Sequence, residues 1–183
     1  MKAGGRPATM RLFYGAGMSD NDTPRTQWLQ LFAGTDAGGK PVLEKLEAAV
    51  QDNGLYELLR SPLFVRDLAA GDLFDLNPKN PADYRSVRRS GNLAIRVFRR
   101  EGIEELEQYL TPEVEKLDGS CDLQTDRALV YSLHVNIGFG PIEQLFDGAM
   151  AKYPDCVWYY GNIYDRADGV TPLHWWDAFI NQV

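Results

Sequence analysis

Through the first hundred residues, apolar and polar positions alternate in short runs broken by turn formers, which is the period of β-strands and not of helices. Met10-Arg-Leu-Phe-Tyr14 predicts a short strand, the turn-forming run Asp20–Arg25 follows, and Gln27-Trp-Leu-Gln-Leu-Phe32 predicts a second. Gly34–Lys40 is a loop. Val42–Val50 fits a helix face or a strand equally well, but Asp52-Asn53-Gly54 supplies residues that tolerate positive φ in a tight loop. That triplet predicts a hairpin returning along Leu55–Leu59. Leu63-Phe-Val65, a tight turn closing Leu68-Ala-Ala-Gly-Asp72, and Leu73-Phe-Asp-Leu76 continue a curved β unit. Tyr84–Arg89 and Leu93–Phe98, joined by Ser90-Gly91-Asn92, read as a strand pair. Within the latter, Leu93, Ile95 and Val97 alternate with Ala94, Arg96 and Phe98, which sets the arginines on outer positions.

Beyond Gly102 the period lengthens. Ile103, Leu106, Tyr109 and Leu110 predict a helix with Glu104 and Glu105 in its first turn and Pro112 at its end. Ala128–Val135 predicts a strand, Gly138-Phe-Gly-Pro141 a turn into a helix over Ile142–Tyr153, and Val157–Tyr160 a last strand. The fold class is therefore α+β: an N-terminal curved, barrel-like antiparallel unit followed by a C-terminal strand-helix-strand layer of ferredoxin-like type. Residues 1–9 form a glycine-rich arm, 10–100 the β-rich unit and 101–183 an acidic α+β unit, the two units sharing one core.

Composition adds little until charge is mapped along the chain. The net charge is -7, but Tyr84–Arg100 carries six arginines and no acid, whereas Glu101–Val183 carries fifteen acids against four basic residues. An acidic half repels nucleic acid and anionic membranes and attracts cationic surfaces. Cys121 and Cys156 lie far apart with no C-x-x-C spacing, which fits a reduced cytoplasmic protein, and no run approaches the length of a membrane span.

Tyr56-Glu-Leu-Leu-Arg-Ser-Pro-Leu-Phe-Val-Arg-Asp-Leu-Ala-Ala-Gly-Asp72, followed by Tyr84-Arg-Ser-Val-Arg-Arg-Ser-Gly-Asn-Leu-Ala-Ile-Arg-Val97, resembles a family of small bacterial proteins known as a domain of unknown function. The likeness runs from about Leu43 to Tyr164. It implies a strand pair, a helix and a strand-helix-strand end, brings no catalytic residues, and is loosely associated with immunity proteins that accompany bacterial toxins.

Each chemical reading meets a plainer one. His134 sits on the polar face of an alternating strand, and nothing in the spacing brings it to Cys121 or Cys156 as a nucleophile pair. The two histidines and two cysteines, at 121, 134, 156 and 174, lack the close ligand pair of a zinc site, so no metal and no cofactor is expected. Gly138-Phe-Gly-Pro141 lacks the lysine of a phosphate-binding loop. The arginines of Arg85–Arg100 could track a nucleic-acid backbone, but acids elsewhere are numerous enough to pair with them. The expectation is a non-enzymatic binder, an immunity protein that neutralises a basic toxin domain. Its surface is acidic and aromatic and comprises Tyr160, Tyr164, Asp165, Asp168, Trp175, Trp176 and Asp177. The alternatives are a small-ligand or catalytic pocket between the units, using His134 with Cys121 or Cys156, and nucleic-acid binding by the arginine ribbon.

Overall fold

The computed structural model describes residues 25–180, so the arm at 1–9 and the strand expected at Met10–Tyr14 lie outside the described residues. Five strands, β1 (Thr26–Thr35), β2 (Pro41–Val50), β3 (Tyr56–Leu58), β4 (Leu73–Asn77) and β5 (Asn80–Arg88), follow one another as an antiparallel meander. Alternation does what the pattern requires: Leu29 and Leu31 of β1 turn inward with Leu46 and Ala48 of β2, while Trp28 and Phe32 stay exposed. Val42–Val50 is a strand and pairs back onto β3 across the Asp52–Gly54 turn. Bulges in β1 and β5 curl the sheet until β1 and β5 approach each other, but no ladder joins them. The sheet is curled, not a closed barrel.

The second sheet contains β6 (Asn92–Arg99), β7 (Ser120–Gln124), β8 (Ala128–His134) and β9 (Cys156–Tyr160), side by side as β7-β8-β6-β9 and all antiparallel. Helix α1 (Ile103–Glu115) links β6 to β7, and α2 (Phe139–Lys152) links β8 to β9. Leu93, Ile95 and Val97 of β6 face both helices, meeting Ile103, Leu106 and Leu110 of α1 and Ile142 and Phe146 of α2 in the main core. Among the described residues no helix is long and apolar enough to cross a membrane.

Two more expectations need correction. Leu93–Phe98 does not return along Tyr84–Arg89 as a hairpin; β6 joins the second sheet instead. Gly91 makes the corner, with φ of 92°, and a Cβ there would collide with His134 and Phe179. Ser90 holds the corner to the first sheet by donating its N–H to Asp72 (2.8 Å). Pro112 lies inside α1 because Val114 extends the buried stripe Ile103, Leu106 and Leu110 by another turn, which outweighs the hydrogen bond that proline removes. The C-terminal helix α3 (Asp177–Ile180) is a single turn, and Trp175 and Trp176 precede it.

Candidate functional site

Between β3 and β4 the stretch Ser61–Asp72 has no regular structure, yet much of it is buried between the two sheets. Buried irregular backbone must find a partner for each N–H and C=O. Side chains from both sheets supply them. The Glu44 carboxylate of β2 accepts the N–H groups of Leu63 (2.7 Å), Phe64 (2.8 Å) and Val65 (2.7 Å). From the other sheet, Arg96 of β6 donates through Nε to the Pro62 carbonyl (3.1 Å) and through its guanidinium to that of Val65. The Tyr84 hydroxyl donates to the Arg66 carbonyl (2.7 Å), and Arg89 donates to that of Asp67 (2.6 Å). Asp122 accepts the N–H of Ser61 (2.7 Å) and the Ser132 hydroxyl (2.5 Å), closing a buried Ser61–Ser132–Asp122 chain. Burial pushes the Asp72 carboxyl above its ordinary range, against the N–H of Ser90, the Arg89 cation and the N–H of Ala69.

Where this stretch surfaces, Phe64 and Arg66 form one wall of a cleft of about 430 Å³. Tyr159 and Tyr160 at the end of β9, and Tyr164, Asp165 and Asp168 of the following loop, form the other. Phe64, Tyr159 and Tyr164 are 49%, 45% and 40% exposed, which gathers uncovered aromatic surface around the cleft. The loop is fixed by its own acids. Asp165 accepts the N–H of Ala167 (2.7 Å), and Asp168 accepts the N–H groups of Val170 and Thr171 (both 2.9 Å) and the Thr171 hydroxyl (2.5 Å). Those donors, the Thr171 hydroxyl first, hold the Asp168 pKa down to about 2, so the group stays anionic across the physiological range. Burial pushes the Tyr160 hydroxyl well above the ordinary tyrosine range, and that hydroxyl makes no hydrogen bond among the described residues.

Four of the expected partner residues, Tyr160, Tyr164, Asp165 and Asp168, therefore line one cleft. Trp175, Trp176 and Asp177 do not join it. Trp175 donates its indole N–H to the Asn162 carbonyl (2.7 Å), Trp176 packs edge-on against Phe139 at 5.5 Å, and both lean on the main core. Asp177 is exposed beside His174, 3.8 Å away. Phe64 and Arg66 were missed, because nothing in the sequence near them signals that they meet a loop a hundred residues later.

The arginine stretch does not form a ribbon. Arg85 pairs with Asp75 (2.6 Å), Arg89 with Asp67 and Asp72, and Arg99 with Asp155 (3.0 Å) and Glu105 (3.2 Å). Arg96, expected on an outer position, is 2% exposed because the Ser61–Asp72 stretch covers that face of β6. Its burial depresses the guanidinium pKa, and Tyr159 and Glu44 oppose that shift.

Neither thiol shows the features of a nucleophile. Cys121 directs its Sγ at the Leu123 carbonyl (3.6 Å), and burial, reinforced by Glu107 and Asp122, pushes its pKa up to about 11. His134 instead accepts the N–H of Asn136 on Nδ1 (3.3 Å) and stands edge-on to Phe179. Native Cys121 is expected to alkylate with iodoacetamide about 100-fold more slowly at pH 8 than in the denatured chain, since only the thiolate reacts. Peptide-resolved mass spectrometry over a time course checks this, and equal rates would refute it.

Residues 44–152 match the model of a family described as a domain of unknown function, DUF4265. The chain belongs to that family. The DUF4265 match begins at Glu44, spans the whole irregular stretch and its supports on β5 and β6, and ends with α2. A solved structure of a hypothetical protein from Neisseria gonorrhoeae is similar to this chain with a TM-score of 0.57 at 12% identity. The superposition covers 77% of this chain and 96% of that one, and at such identity it speaks to the fold alone. No curated protein matches the sequence.

Proposed function

We propose that this DUF4265 protein is a non-enzymatic binding module that takes a basic protein partner at the cleft beside β9. The observation that supports it best is the grouping of exposed Phe64, Tyr159 and Tyr164 around the anchored carboxylates of Asp165 and Asp168. Aromatic surface next to fixed negative charge suits arginine and lysine side chains, which combine a cationic head with an apolar stem. The specific form of the reading is an immunity protein that neutralises a basic toxin domain, supported by the excess of acids after Arg100. Free Cys121 and Cys156 accord with a reduced, cytoplasmic setting. The order β6-α1-β7-β8-α2-β9 supports a ferredoxin-like second layer, which holds β9 and its loop on a rigid frame.

The test is capture from native-host lysate by tagged protein at low and at about 0.5 M salt, alongside a Tyr164→Ala variant. One basic protein should be retained near stoichiometry at low salt, less at high salt, and about tenfold more weakly by the variant. Equal retention by both forms would remove the cleft from the reading. The second reading, a small-ligand site, is favoured by the cleft volume and its position between the sheets, and thermal-shift screening addresses it.

A further inference from the structure

Among the described residues β9 is the edge strand of the second sheet and pairs with β6 alone. The register shows which of its backbone groups face outward. Gly161 donates to the Ala94 carbonyl (2.7 Å) on one side of β6, while Arg99 donates to the Arg127 carbonyl (3.0 Å) on the other. Alternate residues of β6 therefore serve alternate neighbours, as an antiparallel ladder demands. Ala94, Arg96 and Phe98 face Gly161, Tyr159 and Val157, and the intervening Trp158 and Tyr160 turn their N–H and C=O out of the sheet. No strand among the described residues pairs with that edge. Cys156, the third residue on it, is already closed by its N–H to the Tyr153 carbonyl (3.0 Å).

Edge strands are usually protected by lysine, proline or a bulge. Cys156–Tyr160 has none of these and exposes Val157 at 61% and Tyr159 at 45%. On its helical face the flanking charge is of one sign. On the helical side Glu143 and Asp147 of α2 lie one turn apart and exposed; neither forms an ion pair among the described residues, and Asp147 accepts the Trp158 indole N–H (2.9 Å). On the cleft side Asp165 and Asp168 stand together with Arg66 and Arg96, so the negative charge that selects a cationic strand is that of Glu143 and Asp147.

We propose that the free edge of β9 accepts an extended cationic segment of a partner protein as an added antiparallel strand. Lysine or arginine at alternate positions faces Glu143 and Asp147, and the residues between them lie against Val157 and Tyr159. Main-chain pairing supplies affinity in such additions, and alternate side chains supply selectivity. A second copy of this chain would bring the same carboxylates against themselves, which disfavours self-pairing. The inference rests on the binding-module reading and gives it a mode.

The probe is the acetylated, amidated peptide Lys-Val-Lys-Val-Lys-Val-Lys, with a control of equal charge that is N-methylated at its lysines. In the added strand the lysines share a face with Trp158 and Tyr160, so their N–H groups are the ones that reach β9. Amide exchange at Trp158 and Tyr160 should slow by about tenfold or more with the peptide and stay unchanged with the control. No slowing with either, or equal slowing with both, overturns the proposal. Slowing that follows protein concentration without peptide assigns the edge to a second copy and also overturns it. A captured partner that leaves the Trp158 and Tyr160 amides unprotected sinks strand addition alone, whereas peptide-induced slowing with no basic partner captured sinks the binding-module reading alone.

Discussion

Arg96→Met should lower the free energy of unfolding by about 3 kcal/mol, the scale expected when one member of a buried charged network is removed. In a chain of this size that is roughly a 6–12 °C fall in melting temperature. The reason lies in the stretch it holds. Arg96 donates to the carbonyls of Pro62 and Val65 from the second sheet, while Glu44 accepts three consecutive N–H groups of the same stretch from the first. Methionine fills much of the volume but leaves both carbonyls without a donor and strips the Glu44 carboxylate of its nearby cation. Desolvation of the guanidinium offsets part of the loss, as its depressed pKa indicates, so Arg96→Met is compared with Glu44→Gln and with the double variant. The double variant should lose less than the sum of the two, because both act on one clamp. Urea and thermal unfolding measure the effect. A fall below about 1 kcal/mol would mean that the stretch is held by its apolar contacts instead.

That clamp also shows where the sequence stops being legible. Local signals served well where the decisive residues are neighbours: Asp52-Asn53-Gly54 selected strand over helix for Val42–Val50, and the alternation in Leu93–Phe98 identified the core face of β6. They failed where two outcomes share one local pattern. Ser90-Gly91-Asn92 between two alternating runs reads the same in a hairpin and in a chain crossing between sheets, and only the anchoring of Ser90 by Asp72 distinguishes them. β7 carries a bulge between Cys121 and Leu123 that breaks the alternation needed to see it. The candidate cleft divides in the same way. Tyr160, Tyr164, Asp165 and Asp168 fall within nine residues and were visible together, whereas Phe64 and Arg66 reach the cleft only because Glu44 and Arg96 hold their backbone between the sheets. The C-terminal tryptophans, expected on the same surface, pack on the main core instead.

Asn162→Leu should cost about 2–4 kcal/mol, one desolvated backbone group for each of the two hydrogen bonds that the side chain makes. Asn162 is fully buried, and its Oδ1 accepts the Ala94 N–H (3.0 Å) while its Nδ2 donates to the Asn92 carbonyl (2.9 Å). The amide thus stands in for one more residue of β9, so the main chain can leave the sheet without stranding the backbone of β6. Leucine matches its size but satisfies neither group. The consequence extends to the cleft, since the Asn162 carbonyl also accepts the Trp175 indole N–H and the loop carrying Tyr164, Asp165 and Asp168 begins here. Below its lowered melting temperature the variant should still bind the proposed basic partner more weakly than wild type, because the carboxylates are no longer fixed relative to Tyr159. Equilibrium unfolding with titration of the captured partner separates the two effects. Unchanged stability would refute the strand-mimic role, and unchanged affinity in a destabilised variant would show that the loop holds its shape through the Asp165 and Asp168 turns alone.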